Sequence, residues 1–137
     1  MSKRNQKNAA VYLRLSRSDG DDIESNSIGN QRSIILKYAT ESGLNIVGEY
    51  VDDGLSGTTF ERPSFKRMIE DINAGTVGAV LCKDLSRLGR NNALVAYYTE
   101  IFFVDNHVRF IAVNDGIDTA FGDNDIMPFR SVIKNTR

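Results

Sequence analysis

Gly78-Ala79-Val80-Leu81-Cys82-Lys83-Asp84-Leu85-Ser86-Arg87-Leu88-Gly89-Arg90 begins as an apolar run and ends on two arginines. The uninterrupted apolar run Gly78 to Cys82 reads as a strand, extending to Lys83 and buried on both faces, the kind that parallel sheets use. A helical pattern follows from Asn91 to about Asp105. Strand ends that feed helix N-termini are where open α/β sheets bind anions, phosphate above all. Paired guanidiniums suit phosphate, because the planar fork makes bidentate, charge-assisted hydrogen bonds.

The flanking sequence repeats the strand–helix alternation. Asn8 to Leu15 reads as a buried strand, and the polar stretch Ser16 to Asn26 as a loop. Ser27 is a plausible N-cap for a helix to about Ser42, with Ile28, Ile35, Leu36 and Ala39 near the helical period and Gly43 as its stop. Asn45 to Val51 forms a second strand, and Asp52 to Gly57 a turn-rich loop. Pro63 fits the first position of the next helix, on which Phe65, Met68, Ile69 and Ile72 share a face before Gly75. Val108 to Val113 is a fourth strand; Asp115 to Asp125 reads as loop and Ile126 to Ile133 as one or two helical turns. The order predicts an α/β fold with an open, mostly parallel sheet and helices on both faces. Residues 1–8 are expected to be a flexible basic lead-in and 9–137 a single domain.

Composition narrows the function classes. The chain has 137 residues, 41% hydrophobic and 26% charged, which suits one soluble core. Its apolar runs are far shorter than the roughly 18 residues a membrane span needs, and residues 1–8 lack the apolar stretch of a signal peptide. One cysteine, Cys82, and one histidine, His107, make neither an internal disulfide nor a zinc pattern. A cytoplasmic location follows as the expectation, with no membrane partner. The net charge of −1 is unlike the basic excess of an autonomous DNA-binding domain.

Among candidate site residues, Arg14 and Ser16 alternate on the first strand and so face the same side. Arg62 precedes Pro63 at a helix entrance, where it could add to the helix's free N–H groups or pair at the surface with Glu61 or Asp53. Arg87 and Arg90 flank a further entrance, where cations oppose the macrodipole; that placement points to a compensating anion. Four arginines and one serine are the parts of a phosphoryl-transfer site, with Ser16 as covalent nucleophile. Asp52, Asp53 and Asp84 sit on separate elements without metal-ligand spacing, and no G-x-G-x-x-G or Walker A motif is present. No cofactor is expected.

Tyr12-Leu13-Arg14-Leu15-Ser16 resembles the Y-x-R-V-S signature of serine site-specific recombinases, the resolvase/invertase family. Asp53-Gly54-Leu55-Ser56-Gly57, continuing to Arg62-Pro63-Ser64-Phe65, is similar to their D-x-x-S-G-x-x-x-x-R-P-x-F block. Leu85 to Arg90 is similar to their L-D-R-L-G-R block, and Gln31 matches a glutamine on their first helix. The resemblance spans Ala9 to about Gly116 and implies a resolvase-like catalytic domain. It implies that Ser16 attacks a DNA phosphodiester to form a 5′-phosphoserine, that Arg14, Arg62, Arg87 and Arg90 hold the scissile phosphate, and that Gln31, Asp53 and Ser56 support them. It also implies a homodimer or tetramer acting on double-stranded DNA without ATP or metal. The loop wording resembles the large recombinases of phages and conjugative transposons.

Two departures stand out. Ser86 replaces the family's aspartate, a candidate general acid, with Asp84 two residues back as a substitute. The family's dimerisation helix and DNA-binding region would lie beyond Arg137, so this domain by itself is expected to be inactive and to bind DNA poorly. Two further readings compete: a catalytically impaired oligomerisation or regulatory module of the same fold, and a hydrolase or phosphotransferase acting on a small phosphoester.

Overall fold

The computed structural model describes residues 5–15, 27–53, 62–89 and 92–121. Strand β1 (Asn8–Leu15) lies in the interior of the sheet. It pairs in parallel with β2 (Asn45–Asp53) on one side and with β3 (Ala79–Cys82) on the other. β4 (Arg109–Ala112) runs parallel to β3, and the two-residue β5 (Ile117–Asp118) closes the edge antiparallel to β4. The sheet order is β2-β1-β3-β4-β5. The predicted mostly parallel α/β sheet is therefore present, with an added antiparallel edge inside the stretch expected to be loop.

Alternation along β1 divides the core. Ala9, Val11 and Leu13 pack with Ile35 and Ala39 of helix α1 (Ile28–Ser42) on one face. Ala10 and Tyr12 pack on the other face, against Phe65, Met68 and Ile72 of α2 (Pro63–Asn73). Arg14 continues the second series, so its guanidinium is delivered to the α2 side.

Helix ends follow the expected chemistry. Ser27 Oγ accepts the Asn30 N–H at 3.0 Å, and Gly43 closes α1 in the left-handed conformation with φ 72°. β2 runs two residues further than the apolar pattern predicts, through Asp52 and Asp53, because Asp52 is needed at α2. Its Oδ1 and Oδ2 accept the Ser64 and Phe65 N–H groups, both at 3.0 Å. Pro63 supplies the first helical position, and Arg62, at the cap position, makes no side-chain cap bond.

Two further differences lie beyond β3. Leu85–Leu88 forms a one-turn helix of its own, α3, rather than the entrance of a longer one. The long helix starts separately as α4 (Asn92–Tyr97), widens into a π turn over Tyr98–Phe102 and ends as α5 (Phe103–Asp105). At the widening, Thr99 Oγ donates to the Val95 carbonyl at 2.8 Å, a competitor for the regular ladder.

At the N-terminus, Asn8 belongs to β1, and residues 5–7 make a turn in which Asn8 N–H donates to the Asn5 carbonyl. A Cβ on Gly78 would collide with that same carbonyl, which explains a glycine at the mouth of β3. No helix among the described residues is long and apolar enough to cross a membrane.

Candidate active site

The short helix α3 organises the site from both of its ends. At its start, Asp84 is the N-cap: Oδ1 accepts the Arg87 N–H at 3.2 Å and the Ser86 hydroxyl at 2.6 Å. At its end, backbone carbonyls hold guanidiniums. Arg14 Nη2 donates to Ser86 O at 2.7 Å and Arg14 Nε to Arg87 O at 3.0 Å. Arg62 Nη2 donates to Leu88 O at 2.6 Å. Arg87 returns the contact, its Nη1 donating to Arg14 O at 3.0 Å. Gln31 completes the frame from α1, donating Nε2 to Arg14 O at 2.9 Å and accepting the Arg14 N–H at 3.2 Å.

A second chain of contacts anchors Arg62. Its Nη1 donates to the Tyr12 hydroxyl at 3.0 Å, and that hydroxyl donates to Asp52 Oδ2 at 2.8 Å. The guanidinium also lies over the Tyr12 and Phe65 rings, 5.5 and 5.3 Å from their centroids. Burial pulls the Arg62 pKa below its ordinary value, and Tyr12 and Asp52 oppose that shift. Burial pushes the Tyr12 phenol far up, so it is a neutral donor throughout the physiological range.

Arg14 and Arg62 are 0% exposed and Arg87 is 3% exposed. Asp52 and Asp84 are the carboxylates on hand, and both also serve as helix caps. The Ser86 and Arg87 carbonyl oxygens that accept from the Arg14 guanidinium satisfy hydrogen bonds without cancelling charge. Three positive charges thus converge with two negative ones at a single sheet edge. The family model "Resolvase, N terminal domain" matches residues 9–132.

The chain belongs to the resolvase family.

Solved structures agree with this assignment. The N-terminal catalytic domain of TP901-1 integrase superimposes with a TM-score of 0.78 and 32% identity, covering 94% of this chain and 95% of that one. A resolvase family site-specific recombinase from Streptococcus pneumoniae gives a TM-score of 0.71 and 36% identity, covering 94% and 86%. A Bacillus subtilis (strain 168) protein described as "Putative DNA recombinase" is 37% identical over 81 residues, 59% of this chain. That match takes in only 15% of the larger protein's length. The fold is that of a serine recombinase catalytic domain.

Within this resolvase-family domain, the predicted residues Arg14, Gln31, Arg62 and Arg87 come together, with Asp84 and Ser86 beside them. Ser16, Ser56 and Arg90 lie outside the described residues, as do the loop from Ser16 to Asn26 and the predicted turns over Ile126 to Ile133. Asp53 is described as the last residue of β2 and no further.

Three expectations are corrected. Arg62 is not at the surface; it is buried, donating to the Tyr12 hydroxyl and the Leu88 carbonyl. The N–H groups of α2 that were to assist it are taken by Asp52. Arg87 does not oppose a helix dipole, because it stands in the last turn of α3, where a cation is favoured. Asp84 stands two residues past the end of β3 and caps α3.

Asp52 and the hydroxyl of Tyr12 were missed as functional groups. Asp52 looked like a loop residue, yet an acid ten residues before Arg62-Pro63 had no helix cap of its own to explain. Among the described residues no cluster of three or more His, Cys, Asp or Glu side chains could hold a metal ion.

Proposed function

We propose that this domain cleaves and rejoins DNA strands in site-specific recombination through a 5′-phosphoserine intermediate on Ser16. The Ser16 Oγ–P bond forms as the P–O3′ bond breaks; the serine proton leaves and the 3′-oxygen gains one. Religation reverses the exchange, and the phosphoester energy is kept in the covalent link. Arg14, Arg62 and Arg87, with Arg90, neutralise the non-bridging oxygens and the charge that develops in the transition state. The observation that carries this reading is the convergence of three buried guanidiniums, each donating to a backbone carbonyl, beside the end of β1 that leads to Ser16.

The domain is residues 9–137 of a recombinase that works as a dimer or tetramer. Its net charge of −1 supports a division of labour in which DNA affinity comes from elsewhere in the protein. The likeness to a "Putative DNA recombinase" of which the match takes in only 15% supports a large recombinase. Ser86 in place of the motif aspartate favours a second reading, a catalytically impaired module of the same fold.

One experiment separates the two. Full-length protein is incubated with a library of duplex DNA fragments and quenched in denaturant. The recombinase reading expects covalent adducts joined to 5′-phosphate ends, all absent in Ser16→Ala. Adducts that survive Ser16→Ala would overturn the assignment of the nucleophile, and their absence from every fragment would favour the impaired module.

A further inference from the structure

The first N–H of α3 is held from a distant part of the chain. Leu85 N–H donates to Asp115 Oδ2 at 2.7 Å, across 30 residues. Asp115 stands in the 3₁₀ turn Val113–Asp115 that follows β4. The same turn is tied a second time, since Asn114 N–H donates to the Lys83 carbonyl at 2.7 Å. The α3 turn therefore carries carboxylates at its N-terminal end, Asp84 locally and Asp115 from β4. At its C-terminal end, the carbonyls of Ser86, Arg87 and Leu88 hold Arg14 and Arg62, and Arg87 is one of its own residues.

A four-residue helix has too few internal hydrogen bonds to fix its own place. Its position along its axis is set by whatever holds its ends. A shift of α3 would move three carbonyl acceptors together, and with them Arg14 and Arg62, while Arg87 would travel with the helix. We propose that Asp115 is a positioning residue for the arginine cluster, acting through the Leu85 N–H to hold α3 in register with β1. Its consequence for catalysis rests on the phosphate-holding reading above; its effect on the arginines does not.

The test reads the Nε–Hε NMR signals of Arg14, Arg62 and Arg87 in the 137-residue chain, followed by titration with inorganic phosphate. Asp115→Ala is expected to move all three signals and to raise half-saturating phosphate about fivefold, the factor that loss of one hydrogen bond brings. Asp115→Asn keeps an acceptor for Leu85 and is expected to restore both. Asp118→Ala weakens the neighbouring β4–β5 edge without touching α3; it should lower thermal stability and leave the three signals in place. Unmoved signals in Asp115→Ala, or equal movement in Asp118→Ala, would overturn the proposal. Arginine signals of the unaltered chain that ignore phosphate would overturn the phosphate reading instead, leaving the positioning result to be read from the signals alone.

Discussion

Arg14 and Arg87 exchange hydrogen bonds, each guanidinium donating to the other's backbone carbonyl at 3.0 Å. Two like charges are thus brought together, with Asp84 Oδ1 3.8 Å from Arg87 Nε, and a bound anion would lower their mutual repulsion further. Phosphate or sulfate at ten times its dissociation constant should therefore raise stability by about 1.4 kcal/mol, or roughly 4 °C in Tm. Arg87→Met should lose at least half of that shift. Thermal melts against sodium chloride at matched ionic strength check it, and an equal shift with chloride would count against a specific site.

Tyr12→Phe removes the hydroxyl that bridges Arg62 to Asp52. Both partners are buried, so the loss should cost about 1–3 kcal/mol in urea unfolding. The arginine stays charged but less well anchored, and adduct formation should fall with it. A variant as stable as the parent would mean that water replaces the phenol.

Asp84→Asn separates capping from proton donation. The amide oxygen can still accept from Arg87 N–H, so stability should change little, whereas Asp84→Ala should cost about 1 kcal/mol as a lost N-cap. With Asp84 serving as a cap, adduct formation by the full-length protein should survive in the asparagine variant. Loss of adducts in a stably folded Asp84→Asn would identify Asp84 as the proton donor.

The β4–β5 edge should set the acid limit of stability. Arg109 donates two hydrogen bonds to Asp118, Nε to Oδ1 at 2.9 Å and Nη2 to Oδ2 at 2.7 Å. Burial pushes Asp118 up, but the Arg109 and Ala120 donors outweigh it and its pKa lies below the ordinary value. A carboxyl lowered in the folded state stabilises above its unfolded pKa of about 3.9 and loses that contribution as pH falls through the folded value. Asp118→Asn should cost about 2 kcal/mol at neutral pH and less at a pH below the unfolded value of about 3.9. Urea midpoints at the two pH values measure the difference.

At the alkaline end the tyrosines take over. Burial raises Tyr50, which also donates to Asp71, to about 12, and raises Tyr12 and Tyr38 as well. Above pH ~10 the unfolded chain releases these protons and the folded chain keeps them, so stability must fall as pH rises. Tyr12→Phe and Tyr50→Phe should each flatten that decline. An unchanged slope in both would remove the tyrosines as its cause.

Much of the fold was legible from local pattern. The apolar runs at Ala9–Leu13 and Ala79–Cys82 read as buried strands because they are too short for helices and suit a sheet covered on both faces. Phe65, Met68 and Ile72 marked the inner face of α2, and Gly43 marked the end of α1. Three arginine-bearing motifs pointed to a candidate phosphate site by their residue types alone. What local pattern misread were places where a residue serves a partner distant in sequence. Asp52 extends β2 because the N–H groups of Ser64 and Phe65 need an acceptor.

The amino-acid sequence by itself determined the alternating α/β order, the two apolar faces of β1 and the identity of the arginines, since these rest on side-chain period and charge. Only the tertiary structure decided how those charges are borne. Arg62 is buried rather than exposed, Arg87 ends a helix rather than opening one, and α3 is capped by Asp84 and Asp115. The physical reason is that a buried guanidinium must find acceptors wherever the packed chain provides them, and carbonyls from residues 26 to 73 positions away leave no mark on the local sequence.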